Sequence, residues 1–221
     1  MEDMSMWTAV QNSINEFVMM WVLIDPIGTI PVFLAVTARA RAQRRAIAFR
    51  SVGIAALILL FFTVGGKILL QALGIQLTSF QIAGGIVLFL FALTMVFGPP
   101  KAETDLEEAE SVEKATSVAV YPLAVPSIAG PGAMLGAVLL TDTAGFDPMD
   151  DLLNIAVTGI VLVATLVLLL SADRIHKVIG DSGVNVLSRV MGLILAAVAV
   201  DTVIVAVSQH FHIGAAQAVG L

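Results

Sequence analysis

A single acidic residue stands inside a long apolar stretch near the N-terminus, next to two prolines. The run from Trp21 to Leu34 reads WVLIDPIGTIPVFL, so that Asp25, Pro26 and Pro31 interrupt it. A proline lacks the amide donor of a helix, clashes with the preceding turn, and disfavours helical angles for the residue before it. We therefore expect the helix to open for about one to two turns around Asp25. An opened helix exposes amide and carbonyl groups that can bind a polar ligand.

A second run repeats this pattern in the other half of the chain. Tyr121 to Gly132 reads YPLAVPSIAGPG, and Pro126 and Pro131 lie five positions apart, as Pro26 and Pro31 do. Broken helices at matching positions of two repeats are typical of the midplane binding site of a transporter. The alternative is that each group of prolines only kinks its helix, which membrane proteins tolerate.

The composition indicates the elements that must position these residues. Hydrophobic types make up 58% of the 221 residues and charged types 13%, with a mean hydropathy of +0.98 and a net charge of -6. These values exclude a soluble enzyme and a disordered chain, and they argue against nucleic-acid binding. No stretch has the two-residue alternation of an outer-membrane barrel. We expect membrane-spanning α-helices over six apolar stretches, at about 15–38, 46–70, 80–98, 117–140, 152–171 and 187–208.

The two halves predict an all-α polytopic membrane protein made of two copies of a three-helix unit, with helices 1 and 4 interrupted. A third parallel supports the repeat, because IAGGIV at 82–87 is similar to VMGLIL at 190–195. Since three is odd, the second copy must lie inverted in the membrane. The units cover residues 1–98 and 117–221, and an acidic loop at 99–116 joins them. A cation-binding or regulatory loop is the alternative to a merely solvated one.

Lysine and arginine residues predict the orientation. Ten of the eleven fall in or beside the loops 39–45, 99–116 and 172–186, and only Lys67 lies on the other side. The positive-inside rule places this basic side in the cytoplasm and both termini outside.

Two carboxylates in the predicted spans are candidates for coupling transport to an ion gradient. Asp25 lies about 12–15 Å deep in the first span, and Asp201 lies at a similar depth in the sixth. Burial away from water favours the protonated carboxyl, which a proton-coupled carrier requires. Asp25 has an alternative role as the cap of the half-helix that follows it. Gly132 and Gly136, four residues apart, form a small face that favours close helix packing.

The sequence lacks the residues that enzyme, metal or ATP-binding sites require. The chain has no cysteine, no His/Glu metal cluster or nucleophile–base pair in a span, and no GxxxxGK[ST] loop. We therefore expect no enzyme activity, no metal site and no cofactor. Transport would use an ion gradient or the gradient of the substrate itself.

Four motifs in the sequence resemble those of a known family. DPIGTIPVFL at 25–34, IAGGIVLF at 82–89, PLAVPSIAGPG at 122–132 and SRVMGLILAAVAV at 188–200 resemble the MarC family of bacterial and archaeal inner-membrane proteins. The resemblance implies six spans in two inverted repeats, with small neutral amino acids such as glycine and alanine bound at the two broken helices. Thr29 stands where asparagine is common in this family, and Asp201 stands where glutamine is common.

The sequence as a whole predicts a secondary transporter of small neutral amino acids, with protons as the candidate coupling ion. A zwitterion presents a carboxylate and an ammonium close together, and two broken helices offer donors and acceptors close together. Glycine, alanine and serine are the expected substrates, and the oligomeric state is left open. The alternatives are a non-transporting scaffold or assembly factor, and an exporter of other small metabolites. The predicted substrate-binding residues are Asp25, Pro26, Gly28, Thr29, Pro31, Pro126, Ser127, Ala129, Gly130, Pro131 and Gly132.

Overall fold

Helices account for nearly all of the described chain. The computed structural model describes residues 2–98, 118–143 and 148–211, and no strand occurs in these ranges. Its regular helices are α1 (Glu2–Ile24), α2 (Thr29–Val36), α3 (Arg44–Ala72), α4 (Leu77–Phe97), α5 (Pro131–Thr143), α6 (Pro148–Leu170) and α7 (Ala172–His210). A 3-10 turn, Ala38–Gln43, joins α2 to α3, and an irregular helical segment, Ala119–Ile128, precedes α5.

The lengths of these elements match the thickness of a bilayer. Five stretches are long and apolar enough to cross it: Ser13–Val36, Ala40–Ala72, Leu77–Phe97, Leu152–Leu170 and Ser182–His210. The irregular segment and α5 meet at 56° and supply a sixth span if they are counted together. The predicted all-α membrane architecture is confirmed at this level.

The predicted connection at 172–186 is largely helical. The helical stretch from Ala172 to His210 is divided by a kink at Gly180, whose φ is 68° and ψ is 173°. The apolar span begins at Ser182, so the short polar helix before the kink still connects two spans. Glycine accepts the positive φ at the bend without steric cost. The predicted acidic loop at 99–116 lies outside the described residues.

The largest buried cluster unites the elements around the irregular segment. It includes Met20 and Ile24 of α1, Phe33 of α2, and Leu123 and Ile128 of the irregular segment. Large apolar side chains also cover the outside of the bundle, which is expected where lipid replaces water as the surrounding medium.

A second cluster joins α4 to α7 through small residues. A Cβ atom at Gly85 would lie 2.7 Å from Cγ2 of Val203 and 3.1 Å from the carbonyl oxygen of Ala199. A Cβ atom at Gly192 would lie 2.9 Å from Cβ of Met95. Glycine therefore lets these two helices approach closely, as small residues do in membrane bundles.

Candidate binding site at two breaks in the chain

Asp25 forms the first break, between α1 and α2. Its amide donates a 3.1 Å hydrogen bond to the carbonyl oxygen of Trp21, and its φ of 49° then turns the chain out of the helix. Among non-glycine residues, aspartate is one of the few that enter this left-handed region. The next helical bond starts from the same residue, because Thr29 donates its amide to the carbonyl oxygen of Asp25 at 3.1 Å.

The Asp25 carboxylate also accepts a hydrogen bond in the turn that leads into α2. The amide of Gly28 donates to Oδ1 of Asp25 at 3.0 Å. Pro26 follows Asp25 in this turn. The N-cap residue of α2 itself is Gly28, which makes no side-chain cap bond. Asp25 is 3% exposed. The carboxylate therefore stabilises the turn before α2, and its role in proton coupling stays a prediction.

Gly28 makes room for this carboxylate. A Cβ atom at Gly28 would lie 1.9 Å from Oδ2 of Asp25, closer than any real contact. Gly28 is one of the predicted substrate-binding residues. In the structure, its lack of a side chain leaves the space that the Asp25 carboxylate occupies.

The second break contains two extended residues, each before a proline. Tyr121 has φ -131° and ψ 128°, and Val125 has φ -130° and ψ 127°. The peptide bonds from these residues to Pro122 and Pro126 are cis. Such angles are those that a following proline imposes. The irregular segment then ends, and α5 begins at Pro131.

The second proline of each predicted pair does not open a helix. Pro31 lies in the first turn of α2, and Pro131 is the first residue of α5. The first turn of a helix has no partners for its amides, so proline is tolerated there. The two prolines therefore start helices, and the disruption comes from the residues before them.

The two breaks meet at a buried hydroxyl. Oγ1 of Thr29 lies 3.0 Å from the carbonyl oxygen of Asp25 and 3.4 Å from that of Ser127. Both oxygens are acceptors, and the hydroxyl has one hydrogen, which the two contacts share. Thr29 is fully buried and Ser127 is 5% exposed. Among the described residues, Oγ of Ser127 has no hydrogen-bond partner.

Two other predicted site residues pack tightly. A Cβ atom at Gly130 would lie 2.7 Å from the carbonyl oxygen of Pro126, and one at Gly132 would lie 2.6 Å from Cδ1 of Leu88. Ala129 is fully buried. Gly132 thus faces a neighbouring helix, as the packing interpretation of its spacing to Gly136 predicts.

Asp201 differs from Asp25 in its surroundings. Its side chain is exposed on the surface of α7, whereas Asp25 is buried in the core. The structure therefore does not bury the second coupling candidate in the site. No group of three His, Cys, Asp or Glu side chains suited to a metal occurs in the described ranges.

A polar contact at the basic end of α2 has no signal in the sequence. Nε of Arg44 donates to Oγ1 of Thr37 at 3.0 Å, and Nη1 donates to a carboxylate oxygen of Asp173. Thr37 is fully buried and donates in turn to the carbonyl oxygen of Phe33. In the sequence, Arg44 is one of four arginines in the predicted loop at 39–45, and nothing distinguishes it from the other three. Its acceptor Asp173 is 129 residues away.

These features define a polytopic α-helical membrane protein in which Thr29 and Ser127 make a buried contact. Residues 10–211 match the MarC family of integral membrane proteins, and the chain belongs to that family. The resemblance found in the sequence is thereby confirmed.

Curated relatives cover nearly the whole chain. A UPF0056 membrane protein of Methanocaldococcus jannaschii is 36% identical over 88% of this chain and 95% of its own. A UPF0056 membrane protein of Archaeoglobus fulgidus is 34% identical over 85% of this chain and 88% of its own. The UPF0056 inner membrane protein YhgN of Escherichia coli K12 is 33% identical over 84% of this chain and 91% of its own. No solved structure matches the chain.

Proposed function

We propose that this protein is a secondary transporter that binds small neutral amino acids between its two chain breaks. The observation that carries the proposal is the buried meeting of the breaks, where Thr29 reaches the carbonyl oxygen of Ser127 at 3.4 Å. Irregular backbone persists at membrane depth where protein, water or a ligand supplies its partners. Interrupted helices that face each other near the midplane are the usual binding site of secondary transporters.

The groups at the breaks suit a zwitterion. Pro131 has no amide hydrogen, so the first N–H groups of α5 belong to Gly132 and Ala133. The N-terminus of a helix carries a partial positive charge that attracts a carboxylate. Asp25 supplies the negative charge for an ammonium, because a carboxylate accepts several hydrogen bonds at once.

Ser127 provides a hydroxyl at the same place. Its Oγ is buried and has no hydrogen-bond partner within the described ranges, whereas the Thr29 hydroxyl already donates between the two breaks. Leaving a buried polar group unbonded costs free energy that a ligand can restore. We therefore assign Ser127 to substrate contact and Thr29 to holding the two breaks together.

The charges favour small neutral substrates. No lysine, arginine or histidine occurs at 25–31 or 121–132, and Asp25 is the one acidic residue in these two runs. A dicarboxylic amino acid would bring an unpaired negative charge into a dry site, and lysine would bring an unpaired positive one. The close packing at Gly28 and Gly130 leaves little room for a large side chain. Glycine, alanine and serine remain.

The remaining parts of the proposal follow from the sequence pattern. The two halves form inverted three-helix repeats, and helices 1 and 4 are the interrupted ones. The basic side faces the cytoplasm of a bacterial or archaeal cell, with both termini outside. Asp25 is the proton-coupling residue, and the protein transports its substrate without chemical conversion.

Uptake by purified protein in proteoliposomes tests the proposal. Labelled glycine or alanine should accumulate inside, faster with an imposed proton gradient than without one, while empty liposomes should show no saturable uptake. Ser127→Ala should raise the substrate concentration needed for half-maximal uptake. A wild-type protein that binds glutamate or lysine more tightly than alanine contradicts the substrate assignment. Absence of saturable uptake for every neutral amino acid favours the scaffold interpretation.

A further inference from the structure

α2 is a short helix between two points where the chain leaves helical geometry. It spans eight residues, Thr29–Val36. Asp25 precedes it at φ 49°, and the 3-10 turn that follows contains Ala40 at φ -118° and ψ 40°. A rigid segment between two such points can change direction by rotating a few dihedral angles at its ends, which is how hinged elements move.

The side chains of α2 pack into the core beside the second break. Ile30, Val32 and Phe33 are at most 2% exposed, and they belong to the same core cluster as Leu123 and Ala124 of the irregular segment. α2 extends from the Thr29 contact toward the basic residues at 39–45. A ligand between the two breaks can therefore reach the basic side if α2 moves aside.

Arg44 fixes the far end of α2. Thr37 is the C-terminal cap residue of α2, and its hydroxyl accepts the 3.0 Å hydrogen bond from Nε of Arg44. The same guanidinium donates to Asp173, in the first turn of α7. The Arg44 side chain is 15% exposed and that of Asp173 is 67% exposed, whereas Arg41 and Arg45 beside Arg44 are exposed residues. One guanidinium therefore joins the end of α2 to a helix of the other half of the chain.

We propose that α2 is the gate of the binding site on the basic side, and that Arg44 holds this gate closed through Thr37 and Asp173. The inference rests on the proposed transport function, since a gate serves a site that must open. Opening requires the guanidinium to leave at least one of its two acceptors. The alternative is that the Arg44–Asp173 pair is only structural. Asp173 has a reason to stand in the first turn of α7 without Arg44, because an acidic residue there stabilises the helix.

Cysteine labelling tests the gate directly, because the native chain has no cysteine. Ser127→Cys replaces one buried atom and keeps the carbonyl oxygen that accepts from Thr29. A charged, membrane-impermeant methanethiosulfonate reagent is applied to this variant in inside-out and right-side-out vesicles. We expect slow modification from both sides, and we expect Arg44→Ala to accelerate it about tenfold from the basic side alone.

Matched controls separate a gate from general loosening. Arg45→Ala removes the neighbouring exposed arginine and should leave the rate unchanged. The exchange of charges in Arg44→Asp with Asp173→Arg should return the rate toward that of Ser127→Cys alone. Thr165→Cys reports on a fully buried position in α6. The proposal is overturned if Arg44→Ala accelerates labelling at this position equally, accelerates it from both sides, or leaves Ser127→Cys unchanged.

The labelling result is independent of transport. If Arg44→Ala opens the site to the reagent but the wild-type protein takes up no amino acid, the proposed function fails and the gate stands. If the protein transports alanine and the labelling does not change, the gate fails and the function stands.

Discussion

Gly28→Ala isolates the hydrogen bond that the Asp25 carboxylate accepts in the turn before α2. The added Cβ would lie 1.9 Å from Oδ2 of Asp25, about 1.4 Å closer than an ordinary carbon–oxygen contact. The carboxylate must rotate away, and its 3.0 Å bond from the Gly28 amide is lost. The backbone does not resist alanine, because Gly28 has φ -66° and ψ -17°. Any loss of stability therefore comes from the displaced carboxylate.

The magnitude follows from two opposing terms. Loss of a hydrogen bond to a charged group costs about 1.5–3 kcal/mol. Alanine in place of glycine in a helical conformation stabilises by about 0.5–1 kcal/mol. The net destabilisation is about 0.5–2.5 kcal/mol. Gly159→Ala in α6 is the matched control, because its Cβ meets no atom within 4 Å.

Denaturant unfolding in detergent measures both variants. Gly28→Ala should be less stable than Gly159→Ala by about 1.5–3 kcal/mol, since the backbone term is common to both. In an Asp25→Ala background the clash disappears, and Gly28→Ala should then behave like Gly159→Ala. Equal stability of the two single variants, or an undiminished loss in the Asp25→Ala background, would refute the reasoning.

Four further outcomes are expected. Asp25→Asn keeps an oxygen that can accept from the Gly28 amide but removes the charge. The free energy of unfolding should therefore change little, while the stimulation of uptake by protons disappears. Normal stimulation would show that Asp25 has only the structural role. Thr29→Val removes the hydroxyl between the two breaks and should lower both stability, by about 1 kcal/mol, and uptake; wild-type uptake would argue against that contact. Asn154→Leu removes the 2.9 Å bond to the carbonyl oxygen of Leu140 and should destabilise by about 1 kcal/mol without affecting substrate selectivity, which uptake competition measures. An impermeant thiol reagent should label a cysteine at 145 but not at 105 in intact spheroplasts, and the reverse would invert the topology.

Local sequence was sufficient to predict some of the departures from helical geometry. Asp25 followed by Pro26 indicates a helix end, and Tyr121 and Val125 are extended because each precedes a proline. The departures at Ala40 and Gly180 have no proline beside them and were not predicted. The lengths of the apolar runs predicted the spans for a similar reason. A proline pattern and an apolar run are both local features, so neither depends on which helix packs against which. The length signal does not show that the polar residues between Ala172 and the kink at Gly180 are also helical.

Contacts between distant residues could not be predicted in this way. The packing of Gly132 against Leu88 and the bond from Arg44 to Asp173 depend on which helix faces which. A glycine has the same appearance in the sequence whether a ligand or a leucine occupies the space beside it. The burial of one carboxylate and the exposure of Asp201 likewise depend on the rotation of each helix within the bundle.

The two breaks resemble each other in sequence but offer opposite chemistry. The first is closed by a buried carboxylate that already accepts an amide from Gly28, and the second has no charged side chain between Tyr121 and Gly132. The first break therefore contributes negative charge, and the second contributes the N-terminal amides of α5 and the hydroxyl of Ser127. Two identical breaks would present like groups to a ligand and would suit an ion of a single sign. Two unlike breaks joined by one threonine hydroxyl would suit a ligand that carries both signs within a few ångströms, and this asymmetry is the reason for proposing an amino acid rather than an inorganic ion as the substrate.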